Sequence, residues 1–166
     1  MLALNELDAR QVLALAIINE EEDSRIYQTF ADQCREQYPS STKLFEDMAA
    51  EERGHRQDLY GLYKEKFGEF LPAISRSDVK GFLKRRPIWL TKRMNPERMA
   101  EEVAIMEIQA ADFYERAATQ ATDIAIRSLF TRLAEVERGH EKKATALENA
   151  HLTPDKRDEE KATRHR

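Results

Sequence analysis

One twelve-residue phrase, used twice, constrains this chain more than any other feature. Leu44 to His55 reads LFEDMAAEERGH and Leu129 to His140 reads LFTRLAEVERGH, with seven of twelve positions identical. Each copy places a glutamate three residues before a histidine: Glu52 before His55, and Glu137 before His140. On a helix such a pair shares one face, roughly 5 Å apart.

A carboxylate and an imidazole so spaced on each of two helices make half the ligand set of a carboxylate-bridged dimetal site in a helix bundle. The other half is one glutamate from each of two further helices. Alone the pattern is weak, because surface ion pairs produce it too. Glu148 and His151 satisfy it as well.

A chain of 166 residues with five glycines and five prolines can build one core and has little material for sheet turns, so the expected class is all-α. A net charge of −4 gives no footprint for general nucleic-acid binding. With Cys34 as the single cysteine, neither an intrachain disulfide nor a Cys-x-x-Cys metal pair can form, which fits a reducing, cytoplasmic setting. The N-terminus lacks a basic start and long apolar core. No apolar run approaches the ~18 residues of a membrane span, so the polypeptide reads as soluble.

Taken in order, the chain shows four amphipathic stripes. After Asp8, a candidate N-cap, apolar residues recur at Leu13, Ile17, Tyr27, Ala31 and Cys34, predicting a helix that ends before Pro39. Glu20 occupies a core slot of that stripe, whereas Glu21, Glu22 and Asp23 read as a solvated face. A second helix is predicted from near Ser41 to about Phe67, stopped by Gly68, with the stripe Phe45, Met48, Glu52, His55, Leu59 and Leu62. Gly54 and Gly139 sit inside helices, read either as close-approach points or as tolerated glycines.

Asn95 and Pro96 predict a third helix, with the stripe Ala100, Val103, Glu107, Ala111, Tyr114 and Ala118. The fourth runs from about Asp123 to Leu152 through Phe130, Leu133, Glu137, His140, Ala144 and Leu147. His151 lies three turns beyond the Glu/His pair and is left out of the site. From Pro72 to Arg98 the chain is basic, with Arg76, Lys80, Lys84, Arg85, Arg86, Lys92, Arg93 and Arg98 around Phe82, Leu83, Ile88, Trp89 and Leu90. This predicts a crossover over 68–95, with a short helix from Ser77 to about Arg85, that either packs across the bundle or meets a partner or membrane.

The chain is thus a tandem duplication. A bundle over 1–152 brings Glu20, Glu52, Glu107 and Glu137 together with His55 and His140, followed by a charged tail over 153–166. Bare, four buried carboxylates cost several kcal/mol. Two divalent ions balance their charge, and mixed oxygen and nitrogen ligands favour iron, with manganese or zinc as alternatives. The blander alternative is an ordinary bundle with surface acids, in which the repeat is ancestry only. Tyr27 and Tyr114, each seven residues after a core glutamate, read equally as hydrogen-bonding partners of ligand carboxylates or as core aromatics.

These motifs resemble the ferritin-like superfamily, specifically its rubrerythrin/erythrin branch, over residues 8 to 152. Through the resemblance Glu20 matches the first-helix ligand, Glu52 with His55 the second-helix pair, Glu107 a third-helix bridging ligand, and Glu137 with His140 the fourth-helix pair. It implies a non-haem centre of two iron ions that oxidises Fe(II) with oxygen or peroxide. Two departures stand out: Ala110 replaces a further glutamate, and these residues, with one cysteine, include no rubredoxin-like segment. Arg53 stands where bacterioferritins carry their haem-binding methionine, so no haem is expected.

The basic crossover and charged tail resemble the N-terminal domain of membrane-bound ferritin A proteins, where an erythrin-like domain precedes a membrane domain similar to the vacuolar iron transporter. That resemblance implies membrane tethering of a longer protein and a role in iron export and resistance to iron and peroxide stress. Three functions stay open: an iron-handling module, with bridging Glu52 and Glu137 and terminal Glu20 and Glu107; a free-standing peroxidase or ferroxidase; and a metal-stapled dimerisation module. A homodimer is expected, with or without exchanged hairpins, and a hollow storage cage is disfavoured by the different crossover.

Overall fold

The computed structural model of the chain describes residues 1–81 and 94–151, giving the backbone alone over 147–151. Asp8 starts the first helix, α1 (Ala9–Cys34), by accepting a hydrogen bond from the Gln11 backbone, while the Gln11 side chain accepts one back from the Asp8 backbone. The second helix, α2 (Pro39–Phe67), begins on the proline expected to precede it, and α1 stops at Cys34. Proline lacks only a donor that the first turn leaves unused, so it suits the start of α2 better than the loop. Gly68 ends α2 with φ 84, in the region glycine tolerates.

Asn95 caps α3 (Pro96–Gln120) by accepting from the Arg98 backbone at 2.8 Å. A short connection after Gln120 leads to α4 (Ile124–His151), whose start is held by Asp123 accepting from the Ile126 backbone at 3.1 Å. The predicted all-α, ferritin-like four-helix bundle is therefore present. Helices α1 and α2 form one antiparallel hairpin and α3 and α4 the other, joined through α1 against α3 and α2 against α4.

Over its described residues, 77–81, the crossover differs from the start of its expected helix. A 3-10 turn at Arg76–Asp78 gives way to extended Val79, which bridges in parallel to Leu2 through backbone bonds of 2.7 and 2.8 Å. Ile74 and Val79 are buried there. Residues 82–93, with Phe82, Leu83, Ile88, Trp89 and Leu90, and the tail from 152 lie outside the described residues. A methyl added at Gly54 or Gly139 would meet nothing within 4 Å, so among the described residues neither is a close-approach point.

The core falls into two apolar clusters. One holds Leu13, Ile17, Leu59, Tyr63, Phe113, Phe130 and Leu133; the other holds Ile26, Phe30, Phe45, Met48, Met99, Val103 and Ala144. Phe30 meets Phe45 edge-on with centroids 5.7 Å apart, and Cys34 sulfur lies 3.5 Å from Met99 sulfur. Met99 at the start of α3 shares a cluster with Phe45 near the start of α2, so the chain leaves one end of the bundle at Phe67 and re-enters it at the other. Between the two clusters lies a polar layer, at the mid-length positions where the four stripes carry their acids.

Candidate metal centre

All four core glutamates and His140 are buried, and His55 is 14 % exposed. The helical period that buries Leu13 and Ile17 on α1 also turns Glu20 inward, and the same holds for Glu52 beside Met48 and Glu107 beside Val103. Nδ1 of His55 lies 3.3 Å from Glu137, 3.7 Å from Glu20 and 3.7 Å from Glu52. On the other side, Nδ1 of His140 lies 3.1 Å from Glu52, 3.3 Å from Glu107 and 3.9 Å from Glu137. The imidazoles stack with centroids 5.8 Å apart.

Two ligand-type groups result. Glu20, Glu52, His55 and Glu137 form one, and Glu52, Glu107, Glu137 and His140 the other, with the atoms of each within 4.8 Å of one another. Glu52 and Glu137 belong to both. Glu107, matched through the family resemblance to a bridging place, belongs to one group alone.

Whether these residues suit metal ions is decided by what satisfies their polar atoms. Among the described residues, nine buried side-chain polar atoms lack a hydrogen bond, and eight of them are on these six residues: both oxygens of Glu52 and Glu137, one each of Glu20 and Glu107, and Nδ1 of both histidines. Buried polar atoms are otherwise nearly always partnered. Lone pairs converging without donors fit divalent cations, and oxygen with imidazole nitrogen fits iron, manganese or zinc.

Bare, the layer holds protons in place of cations. Burial, then the charges of Glu20 and Glu107, raise the Glu52 carboxyl well above the usual range; burial, then Glu52 and Glu107, do the same to Glu137. Burial also acts to raise Glu20, but its contacts with Glu52 and His55 outweigh this and leave it lowered. Burial alone would depress both imidazoles. The carboxylates of Glu137, Glu20 and Glu52 instead push His55 up to about 12, and Glu107 with its neighbours pushes His140 up to about 9.

The tyrosines settle as hydrogen-bond donors, and they act crosswise. Tyr27 on α1 donates to Glu107 on α3, and Tyr114 on α3 donates to Glu20 on α1. Burial and the adjacent glutamate raise both phenols well above 10.0, so each keeps the proton it donates.

Two residues escaped the sequence reasoning. Glu51, 41 % exposed, pairs with Nε2 of buried His140 and lies 3.5 Å from Lys143. Its signal was a mismatch between the repeats, since Val136 stands at the corresponding place. Asp23, expected on a solvated face, is buried 3.7 Å from Arg76 of the crossover. The crossover, invisible to α1's own periodicity, covers it. His151 lies where only the backbone is described.

Fold and centre together define a ferritin-like four-helix bundle carrying carboxylate and histidine groups that could hold metal. Within that class the chain belongs to the rubrerythrin family, whose sequence pattern matches residues 11–148. Among solved structures it is similar to a hypothetical protein from Pyrococcus furiosus, with a TM-score of 0.72 and 19% identity, over 90% of this chain and 93% of that one. That likeness is one of fold. No curated protein matches the sequence. Among the described residues, no helix is long and apolar enough to cross a membrane.

Proposed function

We propose that this domain binds two iron ions, captures Fe(II) and oxidises it. The observation that supports this most is the set of eight unpartnered polar atoms converging from all four helices. Glu20, Glu52, His55 and Glu137 would hold one ion, and Glu52, Glu107, Glu137 and His140 the other. Iron bound there supplies electron transfer to oxygen or peroxide. The chain's own residues do the rest: Tyr27 and Tyr114 orient Glu107 and Glu20, the two apolar clusters close the layer from its two ends, and the shared carboxylates hold the two positions together.

We further propose that the domain serves a membrane iron exporter in resistance to iron and peroxide stress. Support comes from the resemblance of the basic crossover and charged tail to membrane-bound ferritin A proteins. Iron efflux from cells carrying the full-length protein, compared with Glu107→Ala, tests this context. Equal efflux sinks the exporter role and leaves a free-standing oxidoreductase.

The test of the centre is an anaerobic Fe(II) titration of the chain beside Glu20→Ala and Glu107→Ala, followed by oxygen or peroxide. Saturation near about two irons per chain, reduced in both variants, with loss of chelatable Fe(II) after oxidant, supports the reading. Unchanged variants overturn it. Binding without oxidation leaves a metal-stapled bundle, and sedimentation of the loaded protein separates a dimer from a storage cage.

A further inference from the structure

The duplication makes the two halves of the centre alike in ligand type, so the places where they differ carry information. Three differences fall on the same side.

The first is at the imidazoles. Nε2 of His140 is held by Glu51, so a neutral ring keeps its proton on Nε2 and presents the lone pair of Nδ1 to Glu52 and Glu107. The residue 85 positions after Glu51, its repeat equivalent, is Val136. Among the described residues, no polar partner holds Nε2 of His55, so that ring is positioned from its Nδ1 side alone, by Glu137, Glu20 and Glu52.

The second difference is access. The His140 side chain is 2 % exposed and that of His55 is 14 %. The third lies on the far side, beside the terminal glutamates. A cavity of about 20 Å³ between α1 and α3 is lined by Glu20 and Tyr114 with polar Asn19, Asp23, Arg76 and Gln109 and apolar Ala110 and Phe113. The repeat equivalent of Asn19, 87 positions on beside Glu107, is Met106, which packs in an apolar cluster. Glu20 thus borders a partly polar cavity, whereas the matching neighbour of Glu107 belongs to the apolar core.

Resting on the reading that the centre binds metal, we infer that its two positions are unequal: the Glu107–His140 position retains its ion, the Glu20–His55 position exchanges it, and Glu51 is the positioning residue behind the difference. A ring already held in its ligating orientation loses little freedom when an ion binds, so the ion there binds more tightly. A ring held from one side only, and 14 % exposed, swings away more readily and lets an ion leave. For a protein whose substrate is iron, one retained ion and one exchangeable ion separate holding the site together from passing cargo.

Anaerobic calorimetric titration with Zn²⁺, which has no redox chemistry, tests this on the intact chain. Two binding steps of different affinity are expected, and Glu20→Ala removes the weaker. Glu51→Ala weakens the tighter step by about 10- to 100-fold, as loss of a ligand-orienting partner does elsewhere. Glu51→Gln, whose amide oxygen still accepts from Nε2, recovers part of that loss, which general destabilisation would not allow. Val136→Glu, supplying the missing partner, tightens the weaker step. Two steps of equal affinity in the parent chain, or a tighter step unmoved by Glu51→Ala, overturn the inference. Absence of any Zn²⁺ binding instead overturns the metal reading beneath it.

Discussion

Tyr27 donates its phenolic hydrogen to Glu107 on α3, although Glu20 lies seven residues before it on its own helix. Tyr114 mirrors this by donating to Glu20. The two bonds tie α1 to α3, the elements that join one hairpin to the other. Each therefore acts on packing and on the centre together.

Tyr27→Phe and Tyr114→Phe keep the ring and remove only the donor, leaving a buried carboxylate oxygen unpartnered. Each is expected to lower the stability of the chelator-treated chain by about 1–3 kcal/mol, read by urea denaturation. Metal affinity should fall about tenfold or more. Unchanged values for both would mean the phenols are spectators.

Glu137→Gln is expected to act in opposite directions on the two forms. In the metal-free chain it removes one of the carboxylates that repel one another in the buried layer, so stability rises by roughly 1–4 kcal/mol. Because Glu137 belongs to both ligand groups, binding is lost at both positions, whereas Glu107→Ala loses one. Thermal unfolding with chelator and metal counting check the two halves. A metal-free variant less stable than its parent would show that the carboxylate is not a burden.

The effect of pH follows from the protons held in place of metal. Glu52 and Glu137 are raised above the usual 4.5, and His140 and His55 rise from 6.5 to about 9 and about 12. A group raised on folding stabilises fully below its unfolded value, and the contribution is lost as pH climbs through its folded value. Glu20, shifted down, acts oppositely, and only at the acid end near 4.5. Between 6.5 and 9 the metal-free chain should therefore lose stability as pH rises. Metal binding, which displaces these protons, should strengthen. The gap in Tm between loaded and chelated protein is expected to widen across that window, with proton release visible as a buffer-dependent binding enthalpy. A gap that narrows would reverse the assignment.

Phe130→Ala tests how packing reaches the centre. Phe130 is buried with its ring 5.8 Å from that of Tyr114, which donates to Glu20. The truncation is expected to cost about 3–5 kcal/mol by leaving a cavity. It should also weaken binding at the Glu20 side more than at the Glu107 side. Equal loss at both would show that Phe130 contributes stability alone.

Much of this arrangement is written locally. Period 3.6 along each helix places Glu20, Glu52, Glu107 and Glu137 in core slots, and the duplicated phrase names His55 and His140. The caps at Asp8 and Asn95 and the stop at Gly68 are side-chain and backbone preferences within a few residues. Such features depend on neighbours along the chain, so they can be read from it.

What the chain could not disclose depends on neighbours across space. The repeats show Glu51 and Val136 as a mismatch, but only the approach of α4 to α2 sets Glu51 on His140. Asp23 belongs by period to a wet face until Arg76, 53 residues later, covers it. The tyrosines share a face with their own glutamates yet choose the opposite ones, because a phenol reaches outward from its helix to the helix packed against it. Local sequence determined which groups turn inward; helix packing decided which of them meet.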